Sequence, residues 1–163
     1  MSYSDSLLAT LGDRDPFEVL AELAPWVAGR TAGLDEAALR RPEAPGRWSV
    51  IEVVQHLADT ELAYGYRVRM VLTHAAWPVE AFDRDGWARE LRYREVPLAG
   101  ALDQLRALRE ANLRLYRSLD HAQLSRTGVH AERGPESIAT WIRLLAGHDL
   151  VHRRQIDRIL GPR

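Results

Sequence analysis

Apolar residues recur every three or four positions along most of the chain, which places them on one face of an α-helix. Four long segments carry this pattern. They predict one helix that begins near residue 15 and three that cover about residues 49–74, 98–119 and 137–160. A further short helix is predicted over residues 6–11, and no segment alternates convincingly as a half-buried β-strand would.

Residues that favour helix ends support these boundaries. Asp15 can cap the first helix, and Pro16 suits its first position because no backbone N–H is needed there. Ser49 and Glu52 have the spacing of a capping box, which is the clearest helix start in the chain. Pro25 falls inside the first helix, where its missing N–H predicts a kink.

Three segments interrupt the helical pattern. Residues 40–47 contain two prolines and a glycine and are predicted to form a loop, as are residues 120–136. Residues 77–97 are aromatic and irregular, with a turn of helix predicted around residues 86–92. Four long helices joined in this way predict an all-α four-helix bundle that occupies residues 1–163 as one domain.

Composition narrows the class of protein. The chain has 163 residues, 46% hydrophobic and 28% charged, and no apolar run approaches the roughly 20 residues of a membrane span. The N-terminus does not resemble a secretory signal, the net charge is −1, and no nucleic-acid-binding motif is present. We therefore expect a cytoplasmic protein that acts on a small molecule, with neither nucleic acid nor membrane as a partner.

Three of the six histidines form a pattern that predicts chemistry. His148 and His152 are four residues apart, which on a helix separates them by about 40° and 6 Å, so both rings can reach one centre. Two histidines at this spacing often have no shared ligand. His56 lies at the edge of the apolar stripe of the second helix, and taken alone it fits a partly buried histidine that is hydrogen-bonded to backbone. Together in one bundle, the three predict a metal site with open coordination positions. Because the chain has no cysteine, its metal ligands must be nitrogen or oxygen atoms.

Residue content excludes two familiar metal sites. A zincin protease has glutamate directly after the first histidine of its HxxxH pair, whereas this chain has Asp149 there. A di-iron carboxylate bundle has two Glu-x-x-His pairs. Here Glu52 precedes His56 by four residues, and no second pair exists.

Three polar residues are candidates for contacts around the predicted metal site. Asp59 could orient an imidazole or bind a water on the metal, and Gln155 lies one turn beyond His152. Asp149 could act there too, although the favoured role for it is to satisfy the start of the second helix near Trp48.

Three further residues have less defined expectations. Asn112 lies on the apolar side of the third helix and could face the pocket. Arg109 could bind an anionic substrate, with a surface ion pair as the favoured alternative. His130 lies in the second loop, where a surface position is expected over a place in the wall of a pocket.

Residues 47–61 (RWSVIEVVQHLADTE) and residues 147–156 (GHDLVHRRQI) resemble the two signature segments of the DinB-like (DinB/YfiT-like) metalloenzyme family. Their order and separation also match, so the resemblance covers essentially the whole chain. It implies a bundle with an up-down-down-up arrangement and a divalent metal on His56, His148 and His152. Zinc or nickel is the implied metal, with manganese or iron as alternatives, and homodimers are frequent in the family.

The resemblance also implies a class of reaction. Characterised members of the family include bacillithiol S-transferases and, in a related branch, a mycothiol-dependent isomerase. The sequence hypothesis is therefore a metal-dependent transferase that uses a low-molecular-weight thiol. A metal-dependent hydrolase and a non-catalytic metal-binding bundle of a stress response are the alternatives, because all three have the same metal ligands.

Overall fold

The computed structural model describes residues 2–74 and 76–161 of the chain. In chain order, the helices and strands are α1 (Tyr3–Leu11), α2 (Pro16–Thr31), α3 (Glu36–Arg40), α4 (Val50–Thr73), β1 (Pro78–Val79), α5 (Arg84–Glu90), a 3₁₀ turn (Tyr93–Glu95), α6 (Leu98–Arg117), α7 (His121–Leu124), β2 (Thr127–His130), β3 (Gly134–Ser137) and α8 (Ile138–Leu160). The four long helices α2, α4, α6 and α8 form the predicted four-helix bundle. No helix in the described part of the chain is long and apolar enough to span a bilayer.

Contacts between the long helices fix their directions. Glu22 of α2 pairs with Arg153 of α8, and Arg30, later in α2, pairs with Asp157, later in α8. These two helices are therefore parallel. The N-terminal part of α6 packs against the end of α2, while Arg109, further along α6, donates to the Leu20 carbonyl near the start of α2. Helices α2 and α6 are therefore antiparallel.

Helices α4 and α6 are parallel to each other. Gln55 of α4 donates to Gln104 of α6, and two to four turns later Arg69 of α4 donates to Asn112 of α6. With α2 and α8 pointing the opposite way, the order along the chain is up-down-down-up, as the family resemblance implied. Helices α4 and α8 lie side by side and antiparallel.

The helix-start signals in the sequence have their expected partners. Asp15 accepts a hydrogen bond from the Phe17 amide at 2.7 Å. The Glu52 carboxylate accepts from both the amide and the hydroxyl of Ser49, each at 2.8 Å, which is the reaching-back half of a capping box. Pro25 lies inside α2, and the helix nevertheless continues to Thr31.

The prediction that the chain forms no β-strands was wrong. Strand β2 pairs in parallel with β1 and antiparallel with β3, which gives a small three-stranded sheet against the start of α8. These strands have two to four residues, and their sequences (PV, TGVH and GPES) are too short and too rich in glycine and proline to show an alternating pattern. The short helices α3 and α7 also escaped prediction because one turn carries no period.

A polar layer crosses the middle of the bundle. One apolar cluster fills the end that contains α1 and the first half of α8, and a second fills the end with the starts of α4 and α6 and the last turns of α8. Between them, α4, α6 and α8 contribute polar side chains that are buried or nearly so: His56, Asp59, Thr60, Glu61, Arg109, Asn112, His148, Asp149 and His152. Such a layer is stable only where its groups find partners inside the protein.

Gly147 allows α1 to pack directly on α8. A Cβ atom at this position would overlap the backbone carbonyl of Leu7, and would lie 2.7 Å from its carbonyl carbon. We expect Gly147→Ala to lower the free energy of unfolding by about 1–3 kcal/mol, because α1 must move away from α8.

The matched control for Gly147 is Gly100, which lies in the exposed first turn of α6, where a Cβ atom would meet no other atom within 4 Å. Gly100→Ala should raise the free energy of unfolding by up to about 1 kcal/mol. Urea denaturation of both variants measures the difference. An unchanged midpoint for Gly147→Ala would contradict the close packing of α1 on α8.

Candidate metal centre

Three imidazole rings meet in the polar layer. The Nε2 atom of His148 lies 3.1 Å from Nε2 of His56 and 3.0 Å from Nε2 of His152. The ring centroids of the three residues are 4.3–5.1 Å apart. The structure therefore brings together the three histidines that the sequence selected, with the same nitrogen of each ring facing one point.

The two antiparallel helices explain this convergence. His148 and His152 lie one turn apart on α8, and His56 faces them from the second turn of α4. His56 and His152 are 3% and 5% exposed, and Trp48 packs against the His56 ring with centroids 4.9 Å apart. The rings are therefore held by helices and by an aromatic neighbour, which gives them little freedom to rotate.

Burial keeps all three imidazoles neutral. Loss of solvation lowers the pKa of His56 and of His148 well below the usual value near 6.5, and neighbouring histidines add to the effect. The same cause lowers the pKa of His152 to about 4. Neutral imidazole, which has one nitrogen lone pair, is the form that binds metal ions.

Gln155 determines which nitrogen of His152 carries the proton. The Gln155 side-chain oxygen lies 2.8 Å from His152 Nδ1, so Nδ1–H donates and Nε2 keeps its lone pair. The amide nitrogen of Gln155 points to Glu43 at 3.4 Å, and Arg158 binds the same carboxylate at 2.8 Å, which supports this orientation of the amide. The sequence analysis named Gln155 as a candidate for contacts around the metal site, and in the structure it is hydrogen-bonded to His152.

The Nε2 atoms of the three rings fit a bound cation. Nδ1 of His56 and Nδ1 of His148 are buried and have no hydrogen-bond partner among the described residues, so no contact there fixes the tautomers of these two rings. A single proton on His148 Nε2 can bridge to only one of its two neighbours. A divalent metal with bonds of about 2.1 Å at angles of about 90–110° separates its ligand nitrogens by about 3.0–3.4 Å, and the two Nε2–Nε2 distances given above lie at the lower end of this range. The donor set therefore fits such an ion.

Asp59 does not contact the imidazoles. Its carboxylate accepts from the Tyr93 hydroxyl at 2.6 Å, from Gln104 at 2.9 Å and from Gln55 at 3.1 Å. Tyr93 belongs to the 3₁₀ turn within the long connection between α4 and α6. Asp59 thus ties that connection to the bundle, a role for which the sequence offers no signal because Tyr93 and Gln104 are distant from it along the chain.

Asp149 also faces away from the imidazoles, and it does not cap α4 as expected. It forms a two-bond ion pair with Arg109, at 2.6 and 3.2 Å. Arg109 also contacts Glu61 at 3.2 Å, and both side chains are almost fully buried. This corrects both expectations for Arg109, since its guanidinium is buried and its partners are two buried carboxylates, neither at the surface. Asn112 donates to the backbone and the carboxylate of Glu61 instead of facing the pocket.

His130 was expected at the surface and is instead 2% exposed. Its Nδ1 atom accepts a hydrogen bond from the Glu132 amide at 3.1 Å, and its ring lines a cavity together with His56 and His148. Its burial depends on the β2–β3 hairpin packing over α4 and α8. No sequence pattern predicted that hairpin, so the sequence did not favour a position for His130 in the cavity wall.

Two cavities reach the histidine cluster. A larger one of about 560 Å³ meets it at His152 and Gln155, and its wall includes five arginines and three acidic residues. A smaller one of about 170 Å³ meets it at His56 and His148. Arg84, at the start of α5, lines both cavities. A ligand could thus approach the cluster from either side.

Comparison with known proteins identifies the family. A model of the DinB superfamily matches residues 27–156. This chain belongs to the DinB superfamily. Proteins that resemble it include one from Bacillus mycoides, 30% identical over 86% of this chain and 80% of the relative, and one from Oceanobacillus iheyensis, 28% identical over 78% of this chain and 73% of the relative. Both carry the name "Putative metal-dependent hydrolase".

A solved structure shares the fold. YfiT from Bacillus subtilis, described as "a probable metal-dependent hydrolase with an unusual four-helix bundle topology", superposes with a TM-score of 0.80. The match covers 88% of this chain and 84% of YfiT, at 22% sequence identity. This likeness confirms the four-helix bundle of the DinB chain described here.

The contact between Tyr93 and Asp59 should contribute measurably to stability. We expect Tyr93→Phe to lower the free energy of unfolding by about 1–3 kcal/mol, because the buried Asp59 carboxylate loses the donor of its shortest hydrogen bond. Tyr66→Phe is the matched control, since Tyr66 on α4 is 56% exposed and should change stability very little. Equal denaturation midpoints for the two variants would rule out this anchoring role of Asp59.

Proposed function

We propose that this protein is a metal-dependent hydrolase whose divalent metal is bound by Nε2 of His56, His148 and His152. The observation that carries the proposal is the convergence of three neutral imidazole nitrogens in a buried layer, with Nε2–Nε2 distances of 3.0 and 3.1 Å. The names of the relatives from Bacillus mycoides and Oceanobacillus iheyensis support hydrolysis as the reaction. Three imidazoles suit zinc or nickel, and iron is an alternative.

The three-histidine set leaves coordination positions for water and substrate. When bound, the metal supplies Lewis acidity for a substrate oxygen and lowers the pKa of water. The chain's own residues hold the geometry: Gln155 fixes the tautomer of His152, and Trp48 restrains the ring of His56. The Thr60 hydroxyl is buried, lacks a partner among the described residues and lines the smaller cavity, so it is available to hydrogen-bond a substrate.

Thiol transfer would use the same three ligands. The family resemblance implied it, but no contact among the described residues selects a thiol over water, and the relatives are named as hydrolases. A purely metal-binding bundle would not need cavities that reach the ligands. Here two cavities do so, which favours an enzyme.

Metal content tests the ligand set directly. Elemental mass spectrometry of the untagged protein should find about one divalent ion per chain, and His152→Ala should lose it because two imidazoles bind far more weakly. His121→Ala is the control, since His121 lies exposed on α7. No bound metal in the wild-type protein, even after incubation with zinc, nickel, manganese and iron, would refute the proposal.

Activity assays separate hydrolysis from thiol transfer. The metal-loaded protein should cleave members of a panel of esters and amides without added thiol, and His152→Ala and chelator-treated protein should not. Turnover of monochlorobimane that requires bacillithiol, with no hydrolysis across the panel, would replace the hydrolase with a thiol transferase.

Gln155 should influence metal affinity without binding the metal. Gln155→Leu removes the acceptor for His152 Nδ1–H, so we expect zinc affinity to fall about 10–100-fold. Competition with a chromophoric chelator measures the change, and Arg154→Gln, an exposed neighbour on α8, should keep wild-type affinity. Wild-type affinity in Gln155→Leu would show that this hydrogen bond does not support the ligand.

A further inference from the structure

The smaller cavity beside the histidine cluster has an unbalanced charge. Its wall includes three arginines, Arg67, Arg84 and Arg133, and within the described chain no aspartate or glutamate side chain lines it. The larger cavity differs, because three carboxylates accompany its five arginines. A small, partly enclosed space lined by guanidinium groups without carboxylates favours an anionic ligand.

Arg67 is the strongest evidence for such a ligand. It is only 9% exposed, and its guanidinium donates to the backbone carbonyl of Glu80 and lies over the rings of Tyr64 and Phe82, at 4.9 and 5.6 Å from their centroids. No ion pair joins it to a carboxylate in the part of the chain that the structure describes. A buried cation without a counter-ion is costly, and an anion in the cavity would remove that cost.

The two other arginines differ from Arg67 in their partners. Arg133 forms a two-bond pair with Glu136, at 2.6 and 2.8 Å, and the same carboxylate accepts from Trp141. Glu136 acts on Arg67 only at longer range and is already occupied. Arg84 is exposed and has a 3.9 Å contact with its neighbour Asp85. Positive charge therefore remains around Arg67 and Arg84.

The rest of the cavity wall limits what the ligand can be. Apolar side chains line it from α1, from the segment before α5 and from α8, namely Leu7, Phe82, Leu144 and Leu145. The volume of about 170 Å³ is below the roughly 300–1,000 Å³ of pockets for drug-sized ligands. Near His56, Thr60 adds a hydroxyl that has no hydrogen-bond partner among the described residues. The wall thus suits a short hydrocarbon body, one polar group and one negative charge.

We propose that the smaller cavity binds a small organic oxyanion, a carboxylate or phosphate ester with a short hydrocarbon body, whose charge is held by Arg67. The other end of this oxyanion faces His56 and His148, so the oxyanion is the substrate of the reaction proposed above. The assignment as substrate rests on that proposed function. Binding of the anion itself needs only this chain, and the two can be tested separately.

Calorimetric titration with benzoate tests the anion site, and phenyl phosphate and benzamide extend the test. All three probes share a ring, but benzamide has no charge, and the two anions distinguish a carboxylate from a phosphate. The full-length protein is used both metal-free and zinc-loaded, because a metal could bind an anion without Arg67. We expect benzoate or phenyl phosphate to bind metal-free wild-type protein with a Kd below about 10 mM, and benzamide at least about tenfold more weakly.

Variants locate the site. Arg67→Met should weaken anion binding at least about tenfold, and Arg67→Lys should retain part of it because the charge remains. Arg89→Gln is the control, since Arg89 lines the larger cavity and not the smaller one, and this variant should bind the anion as the wild type does. Because the substitution removes an uncompensated buried charge, the melting temperature of Arg67→Met should stay near that of the wild type. Loss of an arginine with a structural role would lower the melting temperature.

Three results would overturn the inference. They are binding of neither anion, binding of benzamide as tight as that of the tighter-binding anion, and anion binding that Arg67→Met leaves unchanged. Failure of the metal assay together with Arg67-dependent anion binding would refute the hydrolase and leave the anion cavity standing. Metal binding without anion binding would refute the anion cavity and leave the proposed metal site standing.

Discussion

The polar layer through the middle of the bundle is the feature on which the other parts of the structure depend. Burying charged and polar groups there is unfavourable unless each finds a partner inside the protein. Arg109 supplies partners on one side by binding Asp149, Glu61 and the Leu20 carbonyl. These contacts join all four long helices at one level, so any sliding of one helix along another would leave buried charges unpaired.

This fixed register determines where the histidines meet. Because α4 and α8 are adjacent and antiparallel, His56 lies opposite the HxxxH pair instead of a turn above or below it. Helices hold side chains more rigidly than loops do, which favours a preorganised ligand set. Glu61 and Asp149, close to the histidines along the chain, contribute by keeping the helices in place and not by touching the imidazoles.

The covering segments, in contrast, decide what can reach the histidines. The connection between α4 and α6 is held to the bundle by the Tyr93–Asp59 hydrogen bond, and it brings Arg84 between the two cavities. The β2–β3 hairpin adds His130 and Arg133 to the smaller cavity. The bundle therefore provides the three histidines of the proposed metal site and Arg67 of the smaller cavity, and the segments that pack on it complete the walls of both cavities.

Local patterns in the sequence were sufficient for the long helices, for two of their caps and for the His148–His152 pair, because periodicity, capping and an i,i+4 spacing act within a few residues of each other. His56 joined that pair only through the expectation that both helices belong to one bundle and through the family resemblance. The tertiary structure alone decided the partners of Asp59, Asp149 and Arg109, the burial of His130 and Arg67, and the short strands. Each of these depends on contacts between segments far apart in the chain. A buried carboxylate has several possible partners in the sequence, and only the packing of the helices selects one.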